Sequence, residues 1–225
     1  MATVATILDL LKDKLLPYEL AFAVRGSDDV ALIRAINAGK SKVWKTAVGA
    51  SHGTDGAWFA KQGSVSFSSA NSGALPTDFH ALLSAESTSV VMRPSAFHKQ
   101  AWRDGRAVSG SVDPSTLDEL LYLVGGHTDG TQRLKLSRTV SSLTVTIDYT
   151  AKLPVWSASS DNIDLMPEVF YEAIADCAAA SLLGAAQDAA IASLWRGAWK
   201  DSQEMVAAVC AGRQFGGKIS DEDYH

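Results

Sequence analysis

The hydrophobic period of this 225-residue chain changes twice, and that change constrains its fold more than any single residue does. At the start, Val4, Ile7, Leu8, Leu11 and Leu15 recur at three and four residues, the spacing of one helix face, and Pro17 ends the run. A second helical stretch begins behind Ser27, an N-cap, with Asp28 and Asp29 on the positive end of the helix. Leu32, Ile33, Ile36, Val43, Trp44 and Ala47 form its apolar stripe, and Gly49, Ser51, Gly53 and Gly56 stop it. From there to about residue 155 the period falls to two. Leu143, Val145, Ile147 and Tyr149 alternate with Thr144, Thr146 and Asp148 in the clearest strand. Leu134 and Leu136 flank Lys135 in a partner strand, with 138–142 as the connection. Leu120, Tyr122 and Val124 alternate in the same way, as do Val65 and Phe67, and Pro94 is expected to open a short helix carrying Phe97 and Trp102.

Helical period returns after the polar loop 157–164. Pro167 and Glu168 suit a first turn, and Val169, Phe170, Ala173, Ile174, Cys177, Ala178 and Leu182 give a broad apolar face. Gly184 and Asp188 divide this helix from another whose apolar face holds Ile191, Leu194, Trp195, Ala198, Met205, Val206 and Val209. Ile174 and Leu194 are both expected in the core. Each terminal helix pair leaves an apolar stripe that needs cover, which the other pair supplies. The expected class is therefore α+β: a helical bundle formed by N- and C-terminal helices, with an inserted, mostly antiparallel β-sheet. The expected division is one domain over 1–211, with the bundle from 1–50 and 163–211 and the β insertion at 51–155. Residues 212–225 carry three glycines and no period, and are expected to form a flexible C-terminal tail.

Composition narrows the function. With 47% hydrophobic residues the chain can bury a real core, and a net charge of −5 disfavours sequence-independent binding of nucleic acid, which needs cations to neutralise phosphates. No apolar run approaches the ~20 residues that span a bilayer, and the N-terminus lacks the pattern of a signal peptide. Cys177 and Cys210 sit inside helical patterns, as small buried hydrophobes of a reduced compartment. Gly39-Lys40-Ser41 resembles the end of a phosphate-binding loop, but Arg34 stands where the first glycine is needed and no strand precedes it, so Lys40, Lys42 and Lys45 read as surface cations. The five histidines, His127 in a glycine-rich turn among them, show no metal-ligand spacing, and no nucleophile elbow occurs. No catalytic or metal site is expected. Trp58 and Trp156 lie in loops and are candidate interface aromatics.

Three segments taken in order resemble the head-to-tail adaptor family of tailed bacteriophages. The run Leu32-Ile33-Arg34-Ala35-Ile36-Asn37-Ala38-Gly39 is similar to the family's early helix with its "L-I-x-x-I-N" phrase. Ala74-Leu75-Pro76-Thr77-Asp78-Phe79 resembles its "Y-x-L-P-x-D-F" phrase, with Ser72 and Ala74 near the place where an aromatic is often found. The strand from Leu143 to Pro154, then Leu165-Met166-Pro167 and Ala-rich helices with Asp188 and Trp199, is similar to the family's ending. The resemblance implies a virion structural protein with neither enzymatic activity nor a cofactor. It implies a homo-oligomeric ring, a dodecamer, beneath the portal protein, extending the DNA channel and offering a platform to tail, nozzle or tail-tube proteins. Viral DNA would pass without specific binding, no membrane would be involved, and the protein would reside in the virion neck after assembly in the host cytoplasm. It also implies a C-terminal tail that docks along the portal, for which Phe215, Ile219 and Tyr224 are the apolar anchors. A neck stopper or tail-completion protein is the alternative within the virion. A small hydrolase built on His127 or His98 is the alternative outside it.

Overall fold

Helices at the two ends of the chain and strands between them are what the two periods produce. The computed structural model describes residues 2–18, 29–50, 59–96, 99–107, 110–127, 129–163, 166–183 and 189–216, the last five of these as backbone only. In chain order the elements are α1 (Val4–Leu15), α2 (Asp29–Ala50), β1 (Ala60–Ala74), β2 (Phe79–Glu86), β3 (Val91–Pro94), α3 (Gln100–Ala107), β4 (Ser111–Val112), β5 (Glu119–Gly126), β6 (Gln132–Ala151), α4 (Tyr171–Leu183) and α5 (Ala189–Gly216). The chain divides into two compact units, one of Met1–Phe59 with Leu153–His225, the other of Ala60–Lys152.

In the first unit, helices from both ends of the chain share one core. Val4, Ile7, Leu11, Ile36, Phe170, Ile174 and Leu183 are all fully enclosed in it. The start of α1 is completed by the far end of the sequence. Thr3 offers α1 no side-chain cap; instead the Val4 N–H donates to the Asp161 carbonyl (3.0 Å) and the Ala5 N–H to the Ser159 carbonyl (2.8 Å). The receiving loop is itself held by the Asp161 carboxylate, which accepts from the Ser157 and Ala158 N–H groups and is thereby kept below its ordinary carboxylate range. Gly39 lets α2 approach α4 closely, since a Cβ there would lie 2.7 Å from the Ile174 carbonyl oxygen. Asp176 ties three helices, taking Lys14 of α1 at 2.7 Å and the Ser202 hydroxyl of α5 at 2.6 Å. Burial opposes the Lys14 ammonium, but Asp176 and Glu172 outweigh it and raise its pKa.

The period of α5 was legible, its phase less so. Ala192, Val206 and Cys210 point inward with Trp195 and Trp199 partly covered, while Leu194 is 62% exposed and Met205 is also exposed. Leu194 is thus not a core residue: in an Ala-rich helix the small residues blur the contrast between faces. The helix also continues to Gly216, five residues past the point where the hydrophobic pattern ends. Phe215 falls within its last turn, with its side chain outside the described residues, as are Ile219 and Tyr224 entirely.

The second unit is organised on β6. This 20-residue strand pairs antiparallel with β1, β2 and β5 and parallel with the short β4, while β3 joins β5 in parallel, giving a mixed six-stranded sheet. Residues 138–142, expected as a connection, are continuous strand. The inward phase shifts from even positions (Leu134, Leu136, Val140) to odd ones (Leu143, Val145, Ile147), and a broken alternation reads as a loop. The paired strand β1 bends at the same level: Ser69 has a φ of 47° and the register slips between Ala70 and Ser72. A Cβ on Gly73 would lie 2.3 Å from the Val65 side chain and 3.1 Å from the Phe67 ring. Eight residues of straight strand would separate positions 65 and 73 by about 26 Å, so β1 folds back over its own apolar face. Pro94 ends β3 and opens no helix; α3 begins at Gln100 and buries Trp102, and Phe97 lies outside the described residues.

These faces give opposite outcomes for one kind of substitution. Ile174→Asp is expected to cost on the order of 3–5 kcal/mol, because it places an unpaired charge in a closed core. Leu194→Asp is expected to stay within about 0.5 kcal/mol. Urea denaturation of both variants checks the pair.

Candidate functional site

A polar constellation of the first unit forms where the chain re-enters it after β6. Asn37 and Lys40 lie one turn apart on α2 and face the segment 154–156. The Asn37 amide N–H donates to the Trp156 carbonyl (2.7 Å) and its oxygen accepts the Trp156 N–H (3.0 Å), so one side chain replaces a strand partner. The Lys40 ammonium donates to the same Asn37 oxygen (2.9 Å) and to the Pro154 carbonyl, and stands 4.1 Å from the centroid of the Trp156 ring. Lys40 is only 4% exposed and no ion pair forms to it among the described residues. Burial pulls its ammonium down from 10.5 to about 8.

Lys40 was expected on the surface. The signal that finds it is positional, since it occupies the apolar stripe between Ile36 and Val43. A buried amine with a lowered pKa is a nucleophile in some enzymes, yet here its hydrogen atoms are engaged by Asn37 and Pro154 and Trp156 covers it. What the arrangement does is fix a chain segment. Trp156 does lie in an irregular stretch, but the residue is 3% exposed, so it belongs to the packing of this unit and not to an interface. Trp58 lies outside the described residues.

In the second unit, Asp78 plays a comparable part. Its carboxylate takes the Tyr149 hydroxyl (2.9 Å) and the Lys61 ammonium (2.8 Å), and Phe79 stacks on Tyr149 with centroids 5.8 Å apart. Burial works against the Asp78 carboxylate, but the bonds from Lys61 and Tyr149 hold its pKa below the usual value. Burial first, and then Asp78, push the Tyr149 phenol up to about 12. His127 sits in the β5–β6 turn with its Nδ1 3.1 Å from Asp129, which also takes Arg133 at 2.9 Å. His98 lies outside the described residues. Cys177 and Cys210 are both buried, and burial pushes the Cys177 thiol up. Among the described residues no group of three or more His, Cys, Asp or Glu side chains is placed to hold a metal ion, and no helix is long and apolar enough to cross a membrane.

Asn37, Lys40 and Asp78 all use their polar atoms to hold this chain's own segments in place, and the class so defined is a structural α+β protein, a helical bundle with an inserted sheet. The chain matches the SU10 adaptor protein family over residues 2–214 and belongs to it. That membership agrees with the resemblance to phage head-to-tail adaptors and makes the chain a phage adaptor, a structural protein. No curated protein matches the chain.

The depressed Lys40 predicts a pH signature. Between about pH 8 and 10.5 the unfolded chain holds the Lys40 proton and the folded chain has lost it, so stability contributed at this site rises with pH across that window. Measured against Lys40→Met, the wild type should gain on the order of 1–3 kcal/mol from pH 8 to 10. Thermal unfolding of the two proteins through that range reads the difference, and a flat difference contradicts the assignment.

Proposed function

We propose that this protein assembles into a ring at the head–tail junction of the virion, beneath the portal, where it extends the DNA channel and carries the next tail component. The observation that carries this reading is the family match over nearly the whole chain. The polar constellations support it, because they stiffen the subunit, and stiffness is what a ring component has to supply. A dodecamer is the stoichiometry that fits the family resemblance. A net charge of −5 suits a channel through which DNA slides without tight phosphate contacts. Portal attachment is assigned to the C-terminal segment, with Phe215, Ile219 and Tyr224 as its apolar anchors.

Negative-stain imaging of portal particles mixed with the protein should show an added ring of density on one face of the portal. Portal particles that look the same with and without the protein contradict the proposal. Removal of residues 217–225 spares α5 and should leave the helical circular dichroism unchanged while weakening attachment to portal. Equal attachment by the shortened chain argues against a docking role for that segment.

A further inference from the structure

Two outer faces of the first unit carry opposite charge that finds no ion-pair partner among the described residues. Along α2 the exposed positions run Val30, Arg34, Ala38, Ser41 and Lys45, spaced at three and four residues, with Lys42 alongside. No carboxylate interrupts this stripe, and neither Arg34 nor Lys45 has an ion-pair partner among the described residues. The residues between the cations are small, so another helix can come close. Along α1 and its C-cap the exposed positions Thr6, Asp9, Asp13 and Leu16 follow one line, with the exposed Lys12 beside it. Asp9 and Asp13 likewise lack a cationic partner among the described residues; the neighbouring Lys12 is taken by Asp29 at 2.9 Å and Lys14 by Asp176 at 2.7 Å. Each stripe ends in an aliphatic side chain left open to solvent, Val30 at 51% and Leu16 at 61%.

We infer that the cationic stripe of α2 on one copy docks on the acidic stripe of α1 on the next. The inference rests on the ring proposed above and names the surfaces that would build it. Two different patches on one subunit make a head-to-tail contact, the kind that closes into a ring when the rotation allows. Among the described residues of a single subunit these charges stay unmatched; between copies Arg34 and Lys45 meet Asp9 and Asp13. Arg34 and Lys45 stand about 16 Å apart along their helix and Asp9 and Asp13 ~6 Å apart along theirs, so the two long cationic side chains lean inward and bracket the carboxylate pair. Charge of this kind sets register and partner choice more than affinity.

Charge exchange in the full-length protein tests the pairing. One variant carries Arg34→Glu and Lys45→Glu, a second carries Asp9→Lys and Asp13→Lys, and a third carries all four. Assembly is read by sedimentation of the protein alone and by ring occupancy on portal particles, with circular dichroism as the folding control. Each double variant should need about a hundredfold more protein for half-assembly, because like charges then face each other. The quadruple variant, and an equimolar mixture of the two doubles, should assemble within about threefold of wild type, since opposite charges meet again in an alternating ring. Double variants that fold and assemble like wild type overturn the inference and leave the ring proposal standing. So do doubles that lose assembly without rescue by mixture or quadruple exchange. Wild type that assembles neither alone nor on portal removes the ring, and the inference with it. A third reading, that the α2 stripe serves nucleic-acid phosphates, predicts that Arg34→Glu with Lys45→Glu abolishes low-salt binding of a short DNA duplex while assembly is unchanged; that result also overturns the inference.

Discussion

The first unit depends on a return. Its chain leaves after Phe59 and comes back at Leu153 with 93 residues of sheet unit between, and nothing in chain connectivity obliges it to come back in register. Asn37 supplies that register. Its amide makes both hydrogen bonds of a strand partner to Trp156, and Lys40 fixes Pro154 one residue pair upstream. Three residues further on, the Ser159 and Asp161 carbonyls receive the first amides of α1. The N-terminal helix therefore cannot be properly started without the C-terminal half, and the C-terminal helices cannot be aimed without α2. A buried amide left without partners costs roughly 1–3 kcal/mol, so each of these bonds discriminates strongly against a misplaced return.

The resemblance phrases take on physical meaning in this light. The asparagine that ends "L-I-x-x-I-N" is the residue that clamps the returning segment, and the glycine two positions later opens the space in which α2 meets the α4 backbone. The aspartate of "L-P-x-D-F" holds Lys61 and Tyr149 together in the sheet unit, and its phenylalanine stacks on that tyrosine. A lysine in the middle of this helix is shaped by the same demand. Burial costs the ammonium solvation, two oxygens and an indole face return part of it, and the lowered pKa of Lys40 records what remains.

Much of this was visible in the sequence where period and burial coincide. The α1 and α2 stripes, the alternation in β5 and the second half of β6, and the bundle closed from both ends all follow from apolar spacing alone. The misses share a cause, which is that a pattern reports contrast and not direction. Leu194 has the right period on α5 but faces water, because the inward side of that helix is made of Ala192, Cys210 and half-covered tryptophans and offers little contrast. Residues 138–142 looked like a connection because the inward face changes phase there, which an alternation test cannot distinguish from a turn. Pro94 closes a strand where a proline can equally open a helix. By residue type Lys40 reads as a solvent-facing cation, although its place between Ile36 and Val43 on the stripe points inward. The return segment itself has no local signature, since its partners are more than a hundred residues away.

Native-state hydrogen exchange of the Asn37→Ala protein beside wild type addresses the central claim most directly. If Asn37 couples the two ends of the chain, the substitution should lower protection of the α1 and α4 amides by the same free energy as those of α2, with the sheet unit's β1 and β6 amides less affected. Loss of protection confined to α2, with α1 and α4 unchanged, would contradict that account.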